Sequence, residues 1–470
     1  MAVTVTSPSE VETRRLAQVR WSAALSALVI GLNLTVMNVA VADLRMSFPS
    51  AKFTTIGWVV SAYTIVFGAV LVPAGRLADK LGRRSVFMTG LAAFATGSVI
   101  AGVAPALWIL IAGRAVQGIG AACITPSSMA LLLDATPVHQ RAAAISFYSG
   151  VSAIGAASGP SIGALLVDLT NWRAAFFLGL PVLAFSYVLG RRSLPASVSV
   201  RDAALPDLAG ALMIMAAMTG ISFGIVQSRP WGWTHAGVLG AFGVSAVLIP
   251  LFVWRCTRHR SPVMAIALFR RRSFASANTA ALLFGMATGG VSLANVLFLR
   301  DVWGYSLVVA GFGALPGSIV AMLAARPVGR LGVRFGEIAV GVPGALSITA
   351  SMLWLRAFAH ERANYWLGYV PGSALLGLGV ASAFPMIATA VVRGIGSDQL
   401  SLASATNRTF LQLGNAIGIA VVVAVLGTAR GPDALSDFRL AWVMLASLAA
   451  CCAIAIAVTG STPRARNQTT

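Results

Sequence analysis

Acidic residues are scarce in this chain. Its 470 residues hold 14 Asp and Glu, and charged residues of both signs make up 10%, against roughly 25% in a soluble domain. A surface so poor in charge cannot face water, which excludes an ordinary soluble fold. Lysine is nearly missing: Lys52 and Lys80 stand beside 32 arginines, a skew that fits a GC-rich bacterial genome. The four cysteines, Cys123, Cys256, Cys451 and Cys452, lie in apolar runs or, for Cys256, in a basic stretch. That spacing excludes a disulfide framework or a metal site, and we read them as small packing residues. The four histidines, His139, His235, His259 and His360, all fall between apolar runs. No run carries the clustered nucleophiles, metal ligands or paired carboxylates that an enzyme needs. No loop reaches the size of an appended sensor domain. The chain is therefore expected to be no enzyme and to need no cofactor.

What is abundant is apolar sequence: 57% of residues are hydrophobic and the mean hydropathy is +0.83. A membrane-spanning helix needs about 20 mostly apolar residues. Fourteen such runs occur, near 21–42, 55–74, 85–105, 107–133, 142–166, 174–190, 207–227, 236–254, 274–298, 306–325, 337–355, 364–391, 402–428 and 440–459. No small-residue cleavage site follows the first run at the right distance, so it reads as a retained span and not a removed signal. The fold class expected is an all-α membrane protein.

The net charge of +20 matters through its placement. Loops on the cytoplasmic side of a membrane protein carry the Lys and Arg excess. With fourteen spans and both termini inside, the inside segments hold 23 of the 34 basic residues, and the outside segments hold nine: Arg45, Lys52, Arg173, Arg229, Arg300, Arg356, Arg362, Arg430 and Arg439. A miscounted span would invert every later loop and destroy this bias. Arg114 and Arg408 fall within spans. The expected location is a bacterial inner membrane, with N and C termini cytoplasmic.

An internal repeat divides the chain. Residues 73–82 and 327–336 share Pro, Gly, Arg, Leu and a final Gly at an offset of 254, and Lys80 meets Arg334. The offset covers eight spans, where two six-span halves would give six. Two extra spans, the seventh and eighth, therefore lie between the halves. The expected organisation is a tail at 1–20, a six-helix bundle at 21–190, two extra spans with basic flanks at 191–273, a second six-helix bundle at 274–460, and a tail at 461–470. Duplicated helical halves are the usual build of transporters, with substrate held between them near the midplane.

Three motifs carry a family resemblance. Gly75-Arg76-Leu77-Ala78-Asp79-Lys80-Leu81-Gly82-Arg83-Arg84 resembles the loop motif between spans 2 and 3 of the major facilitator superfamily. Arg114-Ala115-Val116-Gln117-Gly118-Ile119-Gly120 is similar to its span-4 motif. Gly155-Ala156-Ala157-Ser158-Gly159-Pro160-Ser161-Ile162-Gly163 resembles the span-5 motif of its antiporters. Residues 262–274 and Gly304-Tyr305-Ser306 are similar to the fourteen-span drug:proton antiporter branch. The resemblance implies a two-bundle fold with two extra central helices that exports small lipophilic compounds, drugs or secondary metabolites, by alternating access. The partners it implies are that substrate, the bilayer and, where transport is coupled, protons. Nucleic acid is not among them, and the chain is expected to act as a monomer. An uncoupled or lipid-handling facilitator is the other reading.

The motif residues have their own chemistry. Gly75 and Gly82 permit a tight turn, Asp79, Arg83 and Arg84 charge a helix boundary, and Asp134 closes span 4 on the same side, so an Arg83–Asp134 pair is expected. The resemblance implies that this cluster latches the inside face, with Asp79 set against the N-terminus of span 13 near Ser401 or Ser404, where backbone N–H groups favour an anion. Gly155, Gly159 and Gly163 recur every four residues on one helix face, which permits close packing in lipid, while Pro160 removes a helix hydrogen bond.

One position departs from the family. The span-1 pattern Leu-Asp-x-Thr-x-x-Asn-Val-Ala is here Leu32-Asn33-Leu34-Thr35-Val36-Met37-Asn38-Val39-Ala40. Twelve residues after Trp21, position 33 lies roughly 18 Å deep, about mid-membrane. An amide exchanges no protons, so antiport by the family's span-1 route is in doubt. Arg114 then stands in a span without a central acid, with Gln117 on its face. A buried cation in lipid needs partners or water. The cavity expected from these residues is lined by Asn33, Met37, Trp58, Tyr63, Arg114, Gln117, Asn295, Asn407, Arg408 and Gln412, and favours neutral or anionic substrates.

Overall fold

The computed structural model describes residues 8–137, 140–194, 206–264, 266–395, 399–427 and 434–459. Most of the expected tail at 1–20 is helical: α1 runs unbroken from Pro8 to Ser47. Proline is tolerated at a helix start because its missing N–H lies in the first turn, where no bond would form. Residues 1–7, 461–470, Arg201 and Arg430 lie outside the described residues, as does the side chain of Ser401.

The helices are α2 (Phe53–Leu81), α3 (Arg83–Gly102), α4 (Leu107–Ala135), α5 (Arg141–Leu169), α6 (Ala174–Phe177), α7 (Leu180–Ser193), α8 (Leu208–Trp231), α9 (Ala236–Arg258), α10 (Arg272–Asp301), α11 (Leu307–Gly313), α12 (Leu315–Phe335), α13 (Glu337–Phe358), α14 (Val370–Val392), α15 (Leu400–Leu426) and α16 (Ala434–Thr459). They make fourteen spans long and apolar enough to cross a membrane. Two spans are broken helices. α6 and α7 part at Leu178 and Gly179, and α11 and α12 part at Ala314, just before Pro316, where proline cannot supply the N–H that continuity requires.

The first bundle is built on α1 against α5 and α7 and on α4 against α2 and α3. The second is built on α10 against α15 and α16 and on α13 against α14 and α16. α8 and α9 pack on each other, and α8 lies on the seam between the bundles, touching both α2 and α15. α9 is the least buried span, and its exposed Leu239, Val247 and Trp254 present an apolar face suited to acyl chains.

The repeat has a backbone counterpart. Gly82 has φ 95° and Gly336 has φ 90°, each the single residue between two spans, α2 and α3 or α12 and α13. Only glycine takes such a conformation without strain. Gly75 does not form the turn: it is helical within α2, where a Cβ would meet only Pro126 of α4 at an ordinary 3.7 Å.

Candidate functional site

The expected cavity residues divide between two neighbouring places. The first is a closed cluster around Arg114, which is 1% exposed. Its Nε donates to the Val59 carbonyl at 2.8 Å, and its Nη1 donates to Asn33 Oδ1 at 2.5 Å and to Gln117 Oε1 at 2.9 Å. The guanidinium lies 4.4 Å from the Tyr63 ring centroid, and Gln117 Nε2 passes on to Ser98 Oγ at 2.7 Å. The cation is therefore satisfied by amides, a carbonyl and a π face, and among the described residues no carboxylate pairs with it. Asn33, the departure from the family pattern, is an acceptor for this guanidinium. Arg114 does not line the cavity as expected, because these partners enclose it and leave it 1% exposed.

The second place is a cavity of about 280 Å³ between the bundles. Its walls come from α1 (Ile30, Leu34), α2 (Phe67), α5 (Tyr148, Ser152), α14 (Phe384) and α15 (Arg408, Gln412). Leu34 adjoins Asn33, and the Phe67 ring centroid is 5.8 Å from that of Tyr63, so the Arg114 cluster lies behind this wall. Of the ten expected lining residues, Arg408 and Gln412 touch the cavity. Met37, one turn beyond Leu34 on the same face of α1, is fully buried in the core and does not reach the cavity. Trp58 packs against the α8–α9 side of the seam. Asn407 Nδ2 reaches Asn278 Oδ1 at 3.5 Å within the second bundle, and Asn295 is buried at 5% exposure.

The two ends of the cavity differ. Beyond the Arg114 cluster, Arg45 Nη1 of α1 meets Asp301 Oδ2 of α10 at 2.8 Å, joining the bundles, and the Arg45 guanidinium lies 3.7 Å from the Phe53 centroid. Behind this bridge an aromatic layer fills the core: Phe298 stands 4.9 Å from Trp442 and 5.0 Å from Trp303, ring centre to ring centre. That end is sealed. At the opposite end, which carries the Gly82 and Gly336 turns, the ion pairs among the described residues stay within each bundle or, for Arg255 and Asp207, within the α8–α9 pair. Arg83 Nη1 meets Asp134 Oδ2 at 2.6 Å and its Nη2 lies 3.6 Å from Asp79 Oδ1, Arg84 donates to the Arg191 carbonyl, and Arg393 meets Glu337 at 3.1 Å. Asp79 is half-exposed and makes no hydrogen bond to α15 among the described residues. The side chain of Ser401, one of the two partners expected for the latch, lies outside the described residues.

The span-5 glycines face α1. A Cβ on Gly155 would overlap the Leu28 carbonyl, one on Gly159 would overlap Thr35 Oγ1, and one on Gly163 would stand 2.9 Å from Val36. Thr35 Oγ1 also donates to the Ala156 carbonyl at 2.9 Å. Pro160 serves a different contact: its carbonyl lies 2.6 Å from where a Gly311 Cβ would be, so α5 meets α11 of the other bundle there. The second bundle repeats the glycine seam with Gly414 and Gly418 of α15 against Leu282 and Met286 of α10. Sequence reasoning missed this copy, although the same four-residue spacing was present.

Two helical bundles around a shared cavity, closed at one end by a bridge between them, define a membrane transporter. The Major Facilitator Superfamily model matches residues 23–418, and the chain belongs to that family. It is 31% identical over 407 residues to the multidrug resistance protein Stp of Mycobacterium tuberculosis, covering 86% of this chain and 74% of that one. It is 30% identical to the methylenomycin A resistance protein of Streptomyces coelicolor, covering 84% and 82%, and 31% identical to the multidrug efflux pump LfrA of Mycolicibacterium smegmatis, covering 86% and 79%. Among solved structures, the fold matches that of the human organic anion transporter MFSD10 with a TM-score of 0.63 at 16% identity, covering 96% of this chain and 100% of that one. It matches a POT family transporter in complex with 5-aminolevulinic acid with a TM-score of 0.70 at 15% identity, covering 95% and 96%. The chain is a multi-pass transporter of small molecules and not an enzyme.

Proposed function

We propose that this protein exports small lipophilic compounds, antibiotics or secondary metabolites, across a bacterial cell membrane by alternating access. Relatives named for multidrug resistance, methylenomycin resistance, tetracenomycin C export and cephamycin export support the substrate class and the direction. The observation that carries the reading is the cavity between the bundles, walled by both and closed off by Arg45 and Asp301 at one end. The Lys and Arg excess of 23 over nine supports a cytoplasmic position for the turn-bearing end. In that orientation the cavity loads from inside, and breaking the Arg45–Asp301 bridge releases substrate outside. The reading assigns no proton to α1, because position 33 is an amide hydrogen-bonded to Arg114.

Growth-inhibition profiling of a drug-sensitive strain that overproduces the protein, with and without a protonophore, tests the reading. Expected is raised tolerance to a set of lipophilic antibiotics together with lower intracellular drug. Unchanged tolerance across the panel, or raised drug accumulation, overturns it.

A further inference from the structure

The hydrogen-bonding groups of the cavity are unbalanced toward donors. Arg408 of α15 is exposed and lines it, and among the described residues it makes no ion pair or hydrogen bond. Gln412, four residues on and so on the same helix face, also lines it and is 5% exposed. Its Oε1 is occupied by Asn415 Nδ2 at 3.1 Å, while its Nε2 has no partner. The end of the amide left for a ligand is therefore its donor. Ser149 and Ser152 add hydroxyls. Among the described residues no carboxylate lines the cavity, and the Arg114 cation behind the wall has only neutral partners. Thr125 and Tyr148 also line it, their hydroxyls bonded to the Ala121 carbonyl and to Ser128, and the apolar lining comes from Ile30, Leu34, Phe67, Phe384 and Leu411.

An unpaired guanidinium and an unpaired amide N–H in a partly apolar cavity match an ionised acceptor. Charge-assisted hydrogen bonds to a carboxylate are roughly twice as strong as neutral ones, and low local dielectric strengthens them further. A quaternary ammonium group there would meet two cations without a counter-ion. We propose that the cavity is a site for lipophilic anions, in which a carboxylate on an apolar body sits between the Arg408 guanidinium and Gln412 Nε2, and the body lies on Phe67, Phe384 and Leu411. This deepens the export reading and rests on it for the direction of movement only.

The test is equilibrium binding of three probes that share one body: pyrenebutyric acid, its methyl ester, and a pyrenebutyl trimethylammonium salt. The full-length protein is held in nanodiscs of zwitterionic lipid, so no anionic lipid competes. Expected is tighter binding of the acid than of the ester or the ammonium salt, by about tenfold or more, weakening as salt rises. Arg408→Gln removes the advantage of the acid and leaves the ester unchanged, Arg408→Lys keeps part of it, Arg408→Glu inverts it toward the ammonium probe, and Gln412→Leu lowers acid affinity alone. Melting curves that match wild type confirm that each variant is folded. Three results overturn the proposal: no saturable binding of the acid, an ammonium probe bound as tightly as the acid, or an acid-to-ester ratio unmoved by Arg408→Gln. The same acid followed in everted vesicles separates this site from the export reading. Selective binding without uptake keeps the site and removes export, and uptake indifferent to Arg408 does the reverse.

Discussion

Arg83 and Glu337 stand at equivalent places 254 residues apart, each directly after a glycine of positive φ, and carry opposite charges. Their partners are reversed to match: Asp134 at the end of α4 and Arg393 at the end of α14. Each bundle therefore braces the same corner with an ion pair of opposite polarity.

Reversing the first pair separates bracing from simple positive charge at this end. Arg83→Glu alone places three acids together, with Asp79 and Asp134 already there, and is expected to slow efflux in everted vesicles. Adding Asp134→Arg rebuilds the pair with the polarity found in the second bundle, and the initial rate recovers. Exposed pairs of this kind contribute only about 0–1 kcal/mol, so neither protein should melt much below wild type. A double variant as slow as the single one would show that the positive charge of Arg83 matters and its pairing does not.

The Arg45–Asp301 bridge joins residues 256 positions apart on the two bundles, and both side chains are largely shielded. Asp301→Asn removes the charge attraction while keeping the shape, and should shift the population toward the outward-open state. A pair of this burial contributes on the order of 1 kcal/mol or somewhat more, and a 1.4 kcal/mol shift is tenfold in the ratio of states. In a cysteine-free background, Val296→Cys, buried in the core five residues before Asp301 on α10, should then label faster with a membrane-impermeant maleimide from outside. Exchanging the two charges, Arg45→Asp with Asp301→Arg, should return labelling toward wild type. Equal rates in all three proteins would mean that the aromatic layer alone holds this end shut.

Much of this architecture was legible in the sequence because lipid imposes simple rules. All fourteen apolar runs became spans, and the 254-residue offset reappears as two glycine turns. Asp134 followed from its place at the end of span 4. Gly75 was misassigned to the turn because a motif read as a loop is, in three dimensions, the last turns of α2. The Arg45–Asp301 bridge was not legible, since no local pattern ties position 45 to position 301. Nor was the enclosure of Arg114. Depth in the membrane follows from counting residues, whereas the side of the wall a side chain occupies depends on helix rotation, which a polar residue on an apolar helix does not fix. The same limit hid the second glycine seam, whose spacing matters only once α10 is known to lie against α15.

Asn33 supplies a 2.5 Å acceptor to Arg114, and its loss should be felt in stability. Asn33→Leu leaves Nη1 with Gln117 alone, and an under-satisfied buried polar group costs about 1–3 kcal/mol, so the variant should melt earlier than wild type. Asn33→Asp instead places a carboxylate against the guanidinium, the residue type of the span-1 pattern that this segment resembles. In proteoliposomes, an imposed pH gradient should accelerate transport by Asn33→Asp more than by wild type. An equal response in both proteins would mean that proton coupling runs through other residues.

The two glycine seams should be energetically alike, because they are built alike. Gly159 of α5 and Gly418 of α15 both lie where a Cβ would overlap the facing helix, at Thr35 Oγ1 in one bundle and the Met286 carbonyl in the other. Without a hydrophobic drive between helices in lipid, close backbone approach is what holds such pairs. Overpacking by a single methyl forces the helices apart at about 1–3 kcal/mol. Gly159→Ala and Gly418→Ala should therefore lower the melting temperature by similar amounts. Gly150, at whose Cβ position nothing lies within 4 Å, should tolerate alanine with little change. The seams also bear on transport, since α1 and α5 both wall the cavity. Gly159→Ala, which moves them relative to each other, is expected to reduce efflux more than Gly418→Ala, whose facing helix α10 contributes nothing to the lining. Equal loss of efflux in both variants would assign the glycines to stability alone.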